Sequence, residues 1–235
     1  VTIQTAGVDT NVTASPNFTT IDDNAIVTTG SIVTALNGGT SVTVTTASAG
    51  TNSQAGDITV ANAIGKTAGG NATLTLNASN DITFNGGADV TSTAGTLGLT
   101  LNASGAINSL QNISLNGGTL TLNATGNVTQ AAGTTIQANT TLVKQGAGTL
   151  TLSEANTYTG LTTISAGTLK LGAAGGATNT PLGTTGSGTS VTSGAVLDLN
   201  GFTLGTAEAL TLNGTGIAGG GALTNSSATN VSYSG

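Results

Sequence analysis

Any acid–base or nucleophilic chemistry in this chain depends on nine carboxylates and three lysines, Lys66, Lys144 and Lys170. The 235 residues contain no histidine, cysteine or arginine. Nucleophilic triads built on histidine or cysteine, imidazole metal sites and arginine clamps are therefore excluded. The chemistry that remains is what two carboxyl groups perform together, which is general acid–base cleavage of glycosides.

Two pairs of aspartates stand close enough in sequence to be considered for such a site: Asp22 with Asp23, and Asp81 with Asp89. Adjacent residues in a strand face opposite sides, which separates Asp22 from Asp23. Asp81 and Asp89 stand at the edges of predicted strands, where aspartate commonly serves turns. The chain also lacks a calcium-binding loop of the D-x-D-x-D-G type. We therefore predict no enzymatic activity, and no catalytic, cofactor-binding or metal-binding residues.

Asparagines in the pattern Asn-x-Ser/Thr are a second group of residues with possible chemistry, because that pattern accepts N-linked glycans. A chain rich in Thr, Ser and Asn produces it by chance, and we expect several of these asparagines to form stacked ladders at internal corners instead. The twelve positions are Asn11, Asn17, Asn71, Asn77, Asn102, Asn112, Asn123, Asn127, Asn139, Asn213, Asn225 and Asn230.

Composition restricts the class of partner. The formal net charge is −6 and charged residues make up 5% of the chain, so the basic surface that binds nucleic acid is missing. No apolar run approaches the roughly 20 residues of a membrane helix, so the chain is not expected to span a membrane. Aromatic residues are too few for a carbohydrate-stacking surface and are expected in the core or at its ends. They are Phe18, Phe84, Tyr158, Phe202 and Tyr233.

A repeated sequence motif shows which secondary-structure elements must position these residues. Leu-Thr-Leu-Asn, followed by a small residue, starts at Leu74, Leu99, Leu120 and Leu210. The first three copies are 25 and 21 residues apart, a period typical of solenoid repeats. Within each copy the leucines share one face of a strand and the threonines the other. Stacked copies would place leucine over leucine in a continuous core.

The strand pattern predicts an all-β chain, a parallel β-solenoid forming one continuous rod. Asn-Gly pairs at Asn37, Asn85, Asn116, Asn200 and Asn213 would ordinarily indicate antiparallel hairpins. We favour parallel stacking because the strand sequences resemble one another one rung apart. Predicted strands cover residues 31–36, 41–45, 56–60, 72–76 and 81–84, and residues 172–188, around Pro181, are expected to form an outward loop. The chain divides into an irregular start (1–30), a first repeat type (31–145) and a second (146–235).

Rungs of 20 to 25 residues predict roughly nine to twelve rungs, about 4.8 Å apart, and negligible helix. Both ends read as uncapped strands, at residues 1–3 and 231–233. Uncapped edge strands recruit other chains, so we expect association end to end, or continuation into further rungs of a longer chain. Lysine at Ile3 and Val231 is expected to suppress the association.

The two repeat types resemble known families. Residues 54–67, followed by 74–78, resemble the repeat region of filamentous-haemagglutinin-like exoproteins of Gram-negative bacteria. Residues 146–172 resemble the autotransporter-associated β-strand repeat, and together the two resemblances cover roughly half the chain. They imply a right-handed parallel β-helix in a large protein that is secreted or displayed on the outer cell surface of a Gram-negative bacterium.

Two classes of function follow from the sequence. The first is a structural and adhesive rod that displays loops or assembles into fibres, as in adhesion or a biofilm matrix, with a glycan or protein on a host or cell surface as its receptor. The second is an ice-binding module, because outward threonines recur as Thr43/Thr45, Thr73/Thr75, Thr119/Thr121 and Thr149/Thr151. Irregular periods weigh against an ice-lattice match. A polysaccharide-acting β-helix enzyme ranks below both.

Overall fold

The computed structural model describes residues 1–46, 54–204 and 206–233. It is a β-solenoid of about nine turns with one short helix, and nearly all of its strands are parallel. The three faces of the solenoid are three sheets, of ten, nine and three strands. This confirms the parallel β-helix predicted from the repeats.

The bounds of the elements are as follows. The ten-stranded sheet contains β1 (Thr2–Gln4), β3 (Ile26–Thr28), β5 (Ile58–Val60), β8 (Ile82–Phe84), β11 (Ile107–Leu110), β14 (Val128–Gln130), β16 (Thr149–Leu152), β18 (Thr168–Leu171), β22 (Val196–Asp198) and β24 (Leu223–Thr224). The nine-stranded sheet contains β2 (Asn17–Thr19), β4 (Val42–Thr45), β7 (Ala72–Ala78), β10 (Leu97–Ala103), β13 (Thr119–Ala124), β15 (Thr141–Gln145), β17 (Thr162–Ile164), β21 (Thr189–Val191) and β23 (Leu210–Leu212). The three-stranded sheet contains β6 (Ile64–Lys66), β9 (Val90–Ser92) and β12 (Ile113–Ser114). A separate pair consists of β19 (Asn179–Thr180) and β20 (Gly183–Thr184), and the helices are α1 (Thr29–Asn37) and a 3₁₀ turn (Ile217–Gly219).

The Leu-Thr-Leu-Asn copies stack in register. Leu74 pairs with Leu99, and Leu99 with Leu120, while the second leucines of the three copies stack in the same way. All six leucines are buried, as are Leu150 and Leu152 in the ten-stranded sheet. The predicted core columns are therefore confirmed.

The fourth copy of the phrase differs because it lies on the last strand of the nine-stranded sheet. Strand β23 pairs with β21 on one side and has no further strand beyond it in the described sheet. Leu212 is 44% exposed as a result. The leucines of the same sequence motif are therefore buried in the middle of the rod and partly exposed at its end.

The strand predicted over residues 31–36 is wrong, because these residues lie in α1. Thr28 caps the helix by accepting a hydrogen bond from the Ser31 N–H, and Ile32 and Leu36, four residues apart, share its buried face. The helix packs against β6, the outermost strand of the three-stranded sheet. It therefore covers the β6 edge of the three-stranded sheet. Within the described ranges, no helix is long and apolar enough to cross a membrane.

The expectation for the two ends also needs correction. Ile3 lies on β1, which is paired on both sides, with β3 and β5, and its side chain is fully buried. A lysine there would bury a charge inside the rod, so it is no test of end association. Val231 and its neighbours to Tyr233 form no strand.

The segment at residues 172–188 is only partly the outward loop that was expected. It forms the antiparallel pair β19–β20, and Leu182 at its turn is 1% exposed. The Pro181 carbonyl accepts a hydrogen bond from the buried Asn156 side chain at 3.0 Å. The turn therefore inserts into the core beside Asn156.

Glycine is required where corners of successive rungs nearly touch. A Cβ on Gly148 would stand 1.7 Å from the carbonyl oxygen of Gly126 in the rung before, and a Cβ on Gly126 would stand 2.9 Å from Gly105. Real Cβ atoms do not approach so closely. Small residues at this corner let the rungs stack at sheet spacing.

Candidate functional site

The outward face of the nine-stranded sheet carries a row of threonines, here called the threonine file. Its members pair directly from rung to rung and are partly exposed: Thr43, Thr75, Thr100 and Thr121. The row continues as Val143, Thr163, Ser190 and Thr211. A second row on the same face, two residues earlier in each strand, is interrupted by Gly98, which pairs with Thr73. Of the predicted threonine pairs, Thr43, Thr75 and Thr121 lie in the threonine file. The prediction is wrong for Thr45, which pairs with Asn77, and for Thr149 and Thr151, which lie in the ten-stranded sheet.

Beside it lies the asparagine file, formed by Asn77, Asn102 and Asn123. The Asn102 Nδ2 donates to the Asn77 Oδ1 at 2.8 Å, and the Asn123 Nδ2 donates to the Asn102 Oδ1 at 3.1 Å. Asn77 in turn donates to the Thr45 hydroxyl at 3.2 Å. Every amide thus points its donor at the rung before, which ties four rungs together on the outer face.

The asparagine file is the floor of an open groove of about 460 Å³. Hydroxyls of Ser79, Ser104 and Thr125 line the groove at the ends of the strands, and none of the described residues that line it is charged. An amide has two N–H donors and an oxygen with two lone pairs. One N–H donor and one lone pair of Asn102 remain after the ladder bonds are made. The groove therefore offers a neutral, evenly spaced row of donors and acceptors.

This arrangement bears on the Asn-x-Ser/Thr sequences, since all three members of the asparagine file belong to them. The nitrogen that would carry a glycan is the one that donates to the preceding rung. The asparagines form a stacked ladder, but on the outward strand face and not at corners. At corners, Asn71 accepts from the Thr96 N–H and Asn112 accepts from the Thr135 N–H.

The two aspartate pairs are not brought together as catalytic pairs. Asp81 precedes β8 and its Oδ1 accepts from the Ala106 N–H at 2.7 Å, whereas Asp89 precedes β9 and binds the Asn112 side chain. These strands belong to different sheets. Asp22 lies in a turn, and its Oδ1 accepts from the Asp23 N–H. Asp81 and Asp89 serve to fasten one rung to the next.

Two of the three lysines point into the rod, which sequence reasoning missed. The Lys144 Nζ donates to the carbonyl oxygens of Gln145, Gly146 and Ala166, at 2.7, 2.8 and 3.3 Å. Lys66 binds the carbonyls of Ala68, Gly69 and Ala94 in the same manner. Both side chains are fully buried. Burial lowers the pKa of Lys144 to about 8, so the side chain is an ammonium ion at neutral pH.

The aromatic side chains lie in or against the core, as predicted. Phe18, Phe84 and Tyr158 are buried, and Phe202 and Tyr233 pack partly buried against the same cluster. In the described part of the chain, no three Asp or Glu side chains come together as metal ligands would.

Comparison with known proteins gives one match. Residues 142–171 match the family described as passenger-associated-transport-repeat. This match and the β-solenoid fold fit a segment of an autotransporter passenger. The matched residues overlap the stretch 146–172 that resembles the autotransporter-associated β-strand repeat. No curated protein and no solved structure matches the chain.

Proposed function

We propose that this chain is an adhesive, structural rod segment of an exported protein displayed on the outer surface of a Gram-negative bacterium. The observation that carries the proposal is the uncharged groove of the asparagine file on a rigid solenoid. The passenger-type repeat at residues 142–171 supports export and surface exposure. A relationship of residues 54–67 and 74–78 to filamentous-haemagglutinin repeats is part of the same proposal.

A rod suits adhesion because rung stacking sets the spacing of its surface groups. Successive rungs lie about 4.8 Å apart, so the amides of the asparagine file repeat at that distance along the axis. Each makes only weak contacts by itself, but several act together when one extended partner lies along the rod. The proposed receptor is a neutral glycan or protein on a host or cell surface.

The adhesion proposal is tested with beads that carry the chain. We expect them to bind cultured host cells more strongly than albumin-coated beads do. The variant Thr75→Lys/Thr100→Lys/Thr121→Lys places three charges beside the groove and should reduce this binding at least about tenfold, since each 1.4 kcal/mol of lost affinity is a factor of ten.

The control variant carries the same charges on the other long face, as Thr59→Lys/Thr83→Lys/Thr151→Lys. These threonines are also partly exposed, and this variant should keep its adhesion. If both variants lost binding equally, the loss would be due to the added net charge and not to the position of the lysines. Absence of wild-type binding above albumin would refute the adhesive role.

The proposal includes end-to-end association at the end formed by β23 and β24. These are the last described strands of the two long sheets. Leu212 and Ile217 are 44% and 47% exposed there. Open strand edges next to exposed apolar side chains favour pairing with another chain.

We expect sedimentation velocity to show reversible association of the wild-type chain that grows with concentration. Leu212→Lys should shift the population to monomer, because the charge stands where the next rung would pack. Thr211→Lys, the control, carries the same charge on the outward face of β23 and should associate as the wild type does. A wild-type chain that stays monomeric at high concentration would contradict this part of the proposal.

The ice-binding alternative ranks lower. Ice-binding faces need regular rows, whereas the threonine file passes to Val143 and its neighbouring row is interrupted at Gly98. A polysaccharide-acting enzyme ranks lower still, because Asp81 and Asp89 serve different sheets. We therefore propose no enzymatic activity.

A further inference from the structure

The core becomes more polar near the β23 end of the rod. The inward column that runs through Leu120 and Leu142 continues as Thr162 and Thr189. The Tyr158 hydroxyl lies 2.7 Å from the Thr162 Oγ1. All three hydroxyl-bearing residues are buried. A row of hydroxyl groups thus replaces leucine side chains inside these rungs.

Glu208 extends this row. Its side chain is fully buried, two residues before β23, and its Oε1 accepts a hydrogen bond from the Thr189 hydroxyl at 3.1 Å. Its Oε2 is also buried and has no hydrogen-bond partner among the described residues. The Tyr233 hydroxyl donates to the Glu208 backbone carbonyl from outside. The carboxyl group is thereby enclosed with one oxygen unsatisfied.

The chain's cationic groups are engaged elsewhere. Lys66 and Lys144 bind backbone carbonyls, Lys170 lies beside Asp198, and the terminal ammonium donates to the Asp57 carbonyl. Among the residues that the structure describes, the titratable groups that face Glu208 are the phenols of Tyr158 and Tyr233. Burial, together with the charge of Glu208, raises the pKa of Tyr233 to about 12 and raises that of Tyr158 further. Both phenols are neutral when the carboxyl titrates, so an ionised Glu208 would be a buried, uncompensated anion.

We propose that Glu208 is a proton-operated latch for the last described rung, holding residues 206–233 against the rod when protonated and releasing them when ionised. The protonated carboxyl is neutral and fits the enclosed site. The ionised carboxylate has an unsatisfied oxygen in a region of low dielectric. The carboxylate reaches water only by leaving its place beside Thr189 of β21, and this movement displaces the segment to which Glu208 belongs.

The direction of the pH effect follows from the same contacts. Burial raises the pKa of Glu208, and the Thr189 hydrogen bond opposes this only in part. The closed state therefore binds the proton more tightly than the open state. Closure is strongest below the ordinary glutamic acid value and is lost as the pH rises through the closed-state pKa.

Asp198, the other carboxylate bonded to this segment, acts in the opposite sense. Burial raises its pKa, but hydrogen bonds from Ser226 and Asn200 and the nearby Lys170 charge outweigh this and leave the pKa below its ordinary value. Its contribution is present above the ordinary value and is lost only as the pH falls further. Loosening on a rise in pH is therefore specific to Glu208.

The latch is tested by hydrogen–deuterium exchange of residues 206–233 at about pH 4 and about pH 7, corrected for intrinsic exchange rates. We expect protection of the wild-type segment to fall at the higher pH. The fall should be about tenfold for each unit by which the closed-state pKa exceeds the ordinary value. Glu208→Gln should make protection of the segment independent of pH.

Glu154→Gln, a change at the chain's other glutamate, is the matched control and should keep the wild-type pH response. The Glu154 carboxylate accepts from the Gly133 N–H, and an amide oxygen accepts in the same way. A wild-type segment whose protection does not fall as the pH rises overturns the proposal, and so does a Glu208→Gln segment that keeps the fall. If Glu208→Gln does not fold, carbon-13 NMR titration of the wild-type Glu208 carboxyl decides, because a pKa at or below the ordinary value also overturns it.

Discussion

Replacing Leu122 with aspartate is expected to unfold the middle of the rod, whereas replacing its neighbour Thr121 with aspartate is expected to leave it folded. Leu122 is fully buried in the leucine column, and Thr121 is on the outward face. Losing a buried leucine costs about 2–5 kcal/mol through cavity formation. Burying a carboxylate without a partner adds several kcal/mol. The sum approaches the about 5–15 kcal/mol that stabilises a typical domain.

Urea unfolding followed by far-ultraviolet circular dichroism measures both variants. Thr121→Asp should lower the free energy of unfolding by less than about 1 kcal/mol, as surface substitutions usually do. Unfolding of Thr121→Asp together with a stable Leu122→Asp would mean that the inward and outward faces of β13 are exchanged.

The second large effect is expected for Lys144→Met. Methionine keeps most of the apolar stem but removes the ammonium group, so three partly buried carbonyl oxygens lose their donor. A fully buried acceptor without a donor costs about 1–3 kcal/mol, and a partly buried one costs less because water reaches it. The free energy of unfolding should therefore fall by about 2–3 kcal/mol in total, as measured in urea.

Lys170→Met provides the matched control for the lysine experiment. Lys170 is partly exposed on β18, where it faces Asp198 of the neighbouring strand. Without Lys170, Asp198 keeps its hydrogen bonds from the Asn200 N–H and the Ser226 hydroxyl. Removing the partly exposed lysine charge should therefore cost no more than about 1 kcal/mol, so this variant should unfold close to the wild type. An equal, small effect of both substitutions would contradict a structural role for the Lys144 ammonium.

The spacing of the repeats and the alternation of apolar and polar residues were enough to predict the fold of the middle of the rod. The registered leucines of β7, β10 and β13 repeat one phrase, and each copy has the period-2 pattern of a half-buried strand. The same argument failed for α1, because residues 31–36 contain Ile32, Val33 and Leu36, which fit a short strand and a helix equally well. The Thr28 cap and the four-residue spacing of Ile32 and Leu36 favour the helix.

The buried charges could not be predicted from the pattern of residue types. In β15 the apolar Val143 faces outward and Lys144 inward, which reverses the order that hydrophobicity suggests. Only the register with Leu122 places Lys144 in the core column. Glu208 was missed for a related reason, since two alanines flank it and the enclosure around it is built by Thr189 and Tyr233, which are distant in sequence.

The asparagine file could be predicted in part. Its spacing of 25 and 21 residues follows from the repeats, and stacking of the amides was expected. Their placement on the outward face follows from strand alternation, because Asn77 is two residues after Thr75 and shares its side of β7. The contribution of Ser79 and Ser104 to the groove depends on how the chain turns after the strand, which residue types alone do not specify.

Rung-by-rung stacking has a mechanical consequence. Asn102 lies 25 residues after Asn77 but only one strand away in the sheet, so detaching one rung frees the whole length of chain wound between them. At about 3.3–3.6 Å per extended residue, this is about 80–90 Å of slack, against an axial step of about 4.8 Å. Tension along the axis loads the rows of hydrogen bonds one after another. A rod of about nine turns therefore lengthens in discrete steps, and the strength of a single rung sets the force passed on to whatever is attached at its end.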